Sequence, residues 1–296
     1  MHVPFLLNWY LNPYHTPLVV AKEMGFFEQY DIDLAIIEPT NPSDVTKIIG
    51  TGAIKLGLKA MVHCFAARAR GYAIQSIATL LDEPPTGLIS SLEKPIKHIA
   101  DIQNKRIGYV GEFGKIMIDN LVQEAGFPAN CYEAIRVGMD AAHAILTGHV
   151  DAAIGIASFQ QIELEEAGMP SYLMRIDEMA QLGCCCFCSI QIIAHDSFSQ
   201  DNHPMMHCFL QALQQGLQIT KKDPAQAWKC LIKTKPRLDT PIYQKIFQAT
   251  RHYFSSDLKN VDRDWQKVRD YAQRLKITES QLPLSACYTN RFFSPI

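Results

Sequence analysis

The sequence predicts an α/β protein of two lobes, each an open, mostly parallel sheet flanked by helices. Short apolar runs alternate with stretches whose apolar residues recur at helical spacing, which is the order expected of βαβ units. This alternation breaks off near residue 90 and restarts near residue 106, which indicates a second half-unit. A chain of 296 residues is long enough for one large domain or two smaller ones.

The first half-unit contains four predicted strands with helices between them. The strands cover residues 3–9, 31–39, 53–59 and 72–82, and the helices cover 17–30, 41–52 and a segment from about Lys59 to Gly71. Pro17 lies in the first turn of its helix, where proline is tolerated. Asn41 or Ser43 is expected to cap the second helix, and glycine is expected to end it.

The second half-unit repeats this order and is followed by a mostly helical remainder. Its strands cover 106–110, 132–138 and 152–158, its helices begin near Lys115 and cover 139–151 and 159–168, and a last strand covers 189–195. The remaining predicted helices cover 204–223, 224–236, 241–257 and 262–275.

The chain is expected to cross between the lobes near residues 88–99 and again near 188–195. Lobe 1 is therefore predicted to hold residues 1–90 and 190–296, and lobe 2 residues 91–189. In such folds the ligand lies where the strands end, so a ligand cleft is expected between the lobes.

The composition excludes several classes of protein. The net charge is −2 with signs interspersed, so neither nucleic acid nor an anionic membrane is expected as a partner. No apolar run approaches the roughly 18 residues of a membrane span. The first 17 residues lack the features of a signal peptide, and the nine cysteines do not form an evenly spaced framework. A reducing cytoplasm is therefore predicted.

Lys59 and His63 lie four residues apart in "GLKAMVHCFAARARG". On one helix they would share a face. A lysine whose amine is deprotonated by burial or by its neighbours can form a Schiff base with an aldehyde. From the spacing alone, a solvated lysine and an ordinary histidine remain the favoured interpretation.

The segment "YVGEFGK" combines a strand end, a glycine loop and a helix start. Backbone N–H groups at a helix N-terminus bind anions, and glycine lets a phosphate approach closely. The spacing matches neither a Walker loop nor a dinucleotide fingerprint. An anion site and a plain turn are equally compatible with the pattern.

Four cysteines occur within five residues, Cys184, Cys185, Cys186 and Cys188. Thiolates are soft ligands for iron or zinc, although adjacent cysteines do not have zinc-finger spacing. The cluster indicates a metal site or redox-active thiols more than it indicates packing.

Two further positions are candidates for ligand binding. Trp9 beside Asn8 can stack on a flat ring while the amide binds it, or can anchor the strand end. Glu163 is a candidate to face the ligand, whereas Glu165 and Glu166 are expected to be solvated.

Together these motifs resemble the 4-amino-5-hydroxymethyl-2-methylpyrimidine phosphate synthases of fungi and plants, which make the thiamine pyrimidine. The resemblance covers nearly the whole chain, and its most specific parts are "EPTNPSDVT", "GYVGEFGK" and "CCCFC". It implies the type II periplasmic-binding-protein-like fold. "PYHTPLVVAKEMGFFE" is less specific, because substrate-binding proteins of ABC importers, which share that fold, resemble it as well.

The resemblance implies a transferase-type synthase that consumes its own chain. Pyridoxal 5′-phosphate would be a substrate bound as a Schiff base to Lys59, and His63 would donate ring atoms to the product. Gly111, Glu112, Phe113 and Gly114 would bind the phosphate, while Asn8 and Trp9 would hold the pyridine ring. Cys184, Cys185, Cys186 and Cys188 would bind the iron that works with oxygen. A cytoplasmic homodimer is implied in the same way.

Two rival functions remain open at this point. A solute-binding protein that presents a pyrimidine or a vitamin B6 compound to an ABC importer would only bind reversibly. A cytoplasmic sensor of pyridoxal phosphate or metal would bind at Lys59 without making product. The occurrence together of Lys59, His63, the glycine loop and the cysteine cluster favours the synthase.

Overall fold

The computed structural model describes residues 1–82, 84–179, 189–278 and 282–294. These residues form two compact units. The first unit lies within Met1–Glu83, Cys186–Ala272 and Thr278–Ile296, and the second lies within Pro84–Cys185 and Gln273–Ile277.

The described residues contain ten strands, five in each unit. They are β1 (His2–Leu6), β2 (Asp33–Ile37), β3 (Leu56–Ala60), β4 (Ile74–Leu81), β5 (Thr86–Ser91), β6 (Arg106–Tyr109), β7 (Glu133–Arg136), β8 (Ala152–Ile156), β9 (Ser171–Arg175) and β10 (Ile190–His195).

The described helices follow the order that the periodicity predicts. They are α1 (Thr16–Glu23), α2 (Val45–Gly50), α3 (Met61–Ala69), α4 (Glu112–Glu124), α5 (Ala141–Leu146), α6 (Ile162–Glu166), α7 (Ile176–Met179), α8 (Asp196–Asp201), α9 (His203–Lys222), α10 (Pro224–Thr234), α11 (Pro241–Thr250), α12 (Asp262–Arg274) and α13 (Leu284–Cys287). Within the described residues, no helix is both long enough and apolar enough to cross a bilayer.

Each sheet has four strands that run in one direction and one strand that runs against them. The first sheet has the order β2-β1-β3-β10-β4, and β10 is antiparallel to both of its neighbours. The second has the order β7-β6-β8-β5-β9, and β5 is antiparallel to both of its neighbours. The predicted mostly parallel α/β architecture is confirmed in this sense.

The strands β5 and β9 were not predicted from the sequence. Pro84, Pro85 and Gly87 surround the start of β5 and are typical of a loop. In the structure β5 pairs with β8 and β9, so residues 86–91 belong to the second unit. The sequence analysis places residues 86–90 in lobe 1, because the pairing partners of a short strand lie far away along the chain.

The core of the first unit is built where α9 packs against α1 and β1. The Phe209 ring stacks on those of Phe5 and Phe27 at centroid distances of 5.7 and 5.2 Å. A Cβ at Gly216 would lie 2.3 Å from the carbonyl oxygen of Pro17, so only glycine permits this approach of the two helices. Truncating a buried phenylalanine such as Phe209 costs roughly 3–5 kcal/mol.

The outer edge of β4 is covered by the C-terminal part of the chain. Thr79 donates its backbone N–H to Leu258, and Ser76 accepts from the backbone of Thr289, at 2.8 and 2.9 Å. The amide of Asn260 lies under this edge and accepts from Trp265 Nε1 at 3.0 Å. These bonds satisfy backbone groups that an open sheet edge would leave unpaired.

Candidate functional site

The carboxyl edge of the first sheet carries the predicted residues of the first unit. Leu6 of β1 lies beside Gly57 of β3 in parallel register. Asn8 comes two residues after the end of β1, and Lys59 lies two residues beyond Gly57 within β3. The turn that follows β2 also lies at this edge, because β1 and β2 are parallel neighbours.

Lys59 lies in β3 and is held from two sides. Its backbone is in register with Gln191 of β10, and its residue surface is only 6% exposed. The amine donates a hydrogen bond to the carbonyl oxygen of Pro42, with Nζ and O 2.5 Å apart. Lys59 is therefore a buried side chain with a fixed partner, contrary to the solvated lysine that its spacing favoured.

Lys59 belongs to the strand predicted over residues 53–59, and the helix expected to begin near it begins two residues later. Helix α3 begins at Met61, so Lys59 and His63 lie on consecutive elements, a strand and a helix, and are not an i,i+4 pair on one helix. Pairing with β10 keeps the chain extended through Ala60, whose φ and ψ are −67° and 147°. A single sequence does not reveal that partner strand.

Burial shifts the protonation of the Lys59 amine toward its neutral form. Its pKa is lowered to about 8, chiefly because burial penalises the charged form, while the nearby Cys64 and Asp44 act in the opposite direction. At pH 7 about a tenth of the amine is then neutral, far more than for a lysine in water.

His63 is held in its neutral form. The enclosure of its ring lowers its pKa well below the ordinary value, and the positive charges of Lys59 and Arg70 lower it further. The effect of Lys59 shows that the two predicted residues share one electrostatic environment. The imidazole therefore keeps an unprotonated ring nitrogen at neutral pH.

The turn Pro42–Asp44, which leads into α2, supports the lysine. The Asn41 side chain caps it by accepting from the Ser43 N–H at 3.1 Å. Of the two expected caps, Asn41 and Ser43, the structure therefore has Asn41. The same turn contributes the Pro42 carbonyl and the Asp44 charge to Lys59. The motif "EPTNPSDVT" was recognised in the sequence, but nothing in its pattern indicated this role.

Asn8 follows β1 and is partly buried. Its Oδ1 lies 3.0 Å from Nε2 of His15, a histidine that is 1% exposed. Burial lowers the pKa of His15 to about 3, and Lys235 adds to this effect. His15 received no role from the sequence, and the only available signal was its place in "NPYH", where Asn12 and Pro13 predict a turn.

Trp9 follows Asn8 and is also partly buried, with its ring 5.9 Å from that of Tyr10 and tilted by 53°. Its use as a stacking surface for a ligand stays a prediction.

The glycine loop lies in the second unit, at the carboxyl end of β6. Helix α4 begins at Glu112, earlier than the start near Lys115 that the pattern predicted, so Gly111 is its N-cap and Gly114 lies in its first turn. A Cβ at Gly114 would lie 2.9 Å from Ile154 Cδ1, so this glycine lets the helix pack closely on β8.

The start of α4 has the properties of an anion site. Gly111 has no side chain to cap the helix, and a Cβ at its position would meet nothing within 4 Å. The 13-residue helix concentrates partial positive charge there. Phe113 is 5% exposed and the Glu112 carboxylate repels anions, so the backbone N–H groups are the candidate donors.

Glu163 lies in α6 of the second unit, and its pKa is raised. Burial raises its pKa to about 7, and the Asp140 charge acts in the same direction. Glu165 and Glu166 are exposed, as expected.

The predicted metal ligands Cys184, Cys185, Cys186 and Cys188 lie outside the described residues. Among residues 1–82, 84–179, 189–278 and 282–294, no three His, Cys, Asp or Glu side chains are grouped so as to hold a metal ion. The iron site therefore stays a prediction.

The chain is similar to known synthases over almost its whole length. The family described as NMT1/THI5 like matches residues 12–227. A protein of Legionella pneumophila named 4-amino-5-hydroxymethyl-2-methylpyrimidine phosphate synthase is 49% identical, covering 98% of this chain and 92% of the relative. A Schizosaccharomyces pombe protein of the same name is 46% identical, with coverages of 93% and 82%.

Solved structures match at low sequence identity. A Bordetella bronchiseptica protein superposes with a TM-score of 0.77 at 18% identity, covering 99% of this chain and 95% of its own. The alkanesulfonate-binding protein of Xanthomonas axonopodis, bound to MOPS, gives a TM-score of 0.74 at 14% identity, with coverages of 97% and 98%. These likenesses confirm the predicted periplasmic-binding-protein-like fold.

Proposed function

The chain belongs to the NMT1/THI5 like family, and on that premise we propose that it makes 4-amino-5-hydroxymethyl-2-methylpyrimidine phosphate for thiamine biosynthesis. The proposed substrates are pyridoxal 5′-phosphate and the chain's own His63, with iron and oxygen. The enzyme is a transferase-type synthase that turns over once per chain, and it is a cytoplasmic homodimer.

The observation that carries this proposal is the arrangement of Lys59 and His63. A buried amine with a pKa of about 8 is close enough to an imidazole for its charge to lower the pKa of that imidazole. Both groups have accessible neutral forms at physiological pH, which is what nucleophilic chemistry requires of an amine and a ring nitrogen.

Pyridoxal phosphate fits the residues that would hold it. When bound, it supplies an aldehyde for attack by an amine and a ring that accepts electrons. Lys59 is the amine, and the carbonyl of Pro42 holds its nitrogen in place. Burial withholds water from that nitrogen and keeps part of it neutral, so it is ready to react.

The phosphate and the pyridine ring of the substrate are assigned to further groups of the chain. The N–H groups at the start of α4, with the open space in front of Gly111, support binding of the phosphate. Asn8 and Trp9 are assigned to the pyridine ring. Their partial exposure supports this, because a ligand can reach them.

His63 is assigned as a reactant that is consumed. Its low pKa leaves it neutral, so it brings an unprotonated nitrogen to the reaction without first losing a proton. Loss of its ring atoms leaves the chain altered, from which single turnover follows.

Iron is assigned to Cys184, Cys185, Cys186 and Cys188. Thiolates suit iron, and an oxidative rearrangement of a ring needs a redox partner. The support for this assignment is the density of cysteines and the family to which the chain belongs.

The proposal is tested by incubating the purified protein with pyridoxal phosphate, iron(II) and oxygen. The wild type should release at most one pyrimidine phosphate per chain, and His63→Gln should release none while still capturing pyridoxal phosphate. Borohydride reduction followed by peptide mapping should locate the captured group on Lys59. Product from His63→Gln at the wild-type yield would overturn the proposal.

A further inference from the structure

His15 is a buried histidine that the proposed function does not use. It ends the turn Pro13–His15 and is 1% exposed. Its ring forms hydrogen bonds with the backbone N–H of Asn12 and the side chain of Asn8. Asn8 is seven residues away in sequence, so the contact joins the turn to the loop after β1.

The hydrogen bonds define which ring nitrogen of His15 carries the proton. The Asn12 N–H can only donate, and it lies 3.2 Å from Nδ1, so Nδ1 must be an acceptor. Burial and the charge of Lys235 keep the ring neutral. The single proton therefore resides on Nε2, which donates to Asn8 Oδ1 across 3.0 Å.

This bond fixes the orientation of the Asn8 amide. Because Oδ1 receives the hydrogen from His15, Nδ2 points the other way, and the group that Asn8 offers to a ligand is an NH2 donor. We propose that His15 is a positioning residue that presents the Asn8 NH2 to a hydrogen-bond acceptor on the pyridine ring of pyridoxal phosphate. This inference rests on the proposed function, in which Asn8 binds that ring.

The turn itself does not require the bond to Asn8. Asn12 Oδ1 accepts from the Tyr14 N–H, and Asn12 Nδ2 donates to the Tyr10 carbonyl, both at 2.9 Å. Thr16 Oγ1 donates to the Pro13 carbonyl at 2.8 Å. The turn is thus closed by its own side chains, and the His15–Asn8 bond acts on Asn8.

A double-mutant cycle on pyridoxal phosphate affinity tests the inference, with wild type, His15→Leu, Asn8→Ala and the double variant. His15→Leu should weaken binding about three- to tenfold in the wild-type background, the scale of one hydrogen bond. In the Asn8→Ala background it should change binding less than about twofold. His15→Gln should restore most of the affinity, because its amide can both accept from Asn12 and donate to Asn8. His207→Leu, which loses one bond to the Phe292 carbonyl in the same unit, is the matched control and should bind normally.

Equal losses from His15→Leu in both backgrounds would overturn the positioning role and leave the proposed function intact. Failure of the wild type to bind pyridoxal phosphate would overturn the proposed function itself. Nitrogen NMR of the ligand-free protein tests the tautomer without any variant. It should show an unprotonated Nδ1 and a protonated Nε2 in His15, and a proton on Nδ1 would overturn the inference whatever the variants do.

Discussion

Lys59 donates its buried amine to the carbonyl oxygen of Pro42 across 2.5 Å, and that carbonyl belongs to the turn that leads into α2. The same turn carries Asp44, whose charge raises the pKa of the amine against the effect of burial. This turn therefore both holds the Lys59 nitrogen and opposes the lowering of its pKa by burial.

Replacing Lys59 by methionine should stabilise the protein near pH 7. The pKa of Lys59 is about 8 when folded and 10.5 as an ordinary lysine, so between these values the unfolded chain binds more protons and stability rises with pH. Below that window the folded state carries the full cost of the buried charge, about 3 kcal/mol. Loss of the bond to Pro42 offsets about 1 kcal/mol of the gain.

Urea denaturation should therefore show Lys59→Met more stable by about 2 kcal/mol near pH 7, with the advantage disappearing near pH 10. Lys55→Met alters an exposed lysine on the approach to the same strand and should show no such pH dependence. A less stable Lys59→Met near pH 7 would contradict the burial cost.

The rate of pyridoxal phosphate capture should rise with pH through a midpoint near 8, because only the neutral amine of Lys59 reacts. Asp44→Asn should lower that midpoint, since the carboxylate raises the pKa of the lysine. Stopped-flow absorbance gives the rates, and Lys59→Ala should show no capture. Asp31→Asn is the control, because Asp31 is exposed at φ 55°, where asparagine is well tolerated. An unchanged midpoint in Asp44→Asn would refute the role of the turn.

Two glycines of the loop should respond differently to alanine. Gly111→Ala adds a methyl group to open space at φ −134°, so the fold should be unaffected, but the methyl group occupies room that a phosphate needs. The affinity of Gly111→Ala for pyridoxal phosphate should fall, while its affinity for pyridoxal, which has no phosphate, should not change. Gly114→Ala meets only the terminal Cδ1 of Ile154, which can move aside, so it should keep both the fold and the affinity for pyridoxal phosphate. Calorimetry and equilibrium binding check both variants. Equal affinity for pyridoxal phosphate in Gly111→Ala and wild type would show that this loop does not bind the phosphate.

Cys186→Ala should fold normally and lose iron-dependent product formation. Its melting temperature should match that of the wild type, while the iron retained after desalting should fall. Cys131→Ser changes a partly buried thiol outside the cluster and should retain both properties. Wild-type iron content and yield in Cys186→Ala would remove this residue from the metal site.

Much of the fold was predictable, because periodicity reports which face of each element is buried. The helices α9, α10 and α12 appear close to their predicted bounds, and the family follows correctly from the motifs. The strands β5 and β9 were not predicted, because what identifies them as strands is pairing with partners that are distant in sequence. Proline and glycine near β5 are compatible with either a loop or the start of a strand, and only tertiary pairing distinguishes the two.

The site was predictable in its residue types and less so in its geometry. The pattern "AIKLGLK" extends a strand to Lys59 but does not reveal that the side chain is buried against Pro42. The function of His15 depends on a contact with Asn8 that crosses a turn, and no local pattern indicates it. Such roles arise from tertiary contacts and therefore require the structure.

The mass of the peptide that contains His63 tests the central claim most directly. After incubation with pyridoxal phosphate, iron(II) and oxygen, part of this peptide should have a reduced mass. The amount of altered peptide should equal the amount of pyrimidine phosphate released, one altered histidine for each product molecule. The peptide from Lys59→Ala should keep its mass. Product released alongside an unaltered His63 would contradict the account.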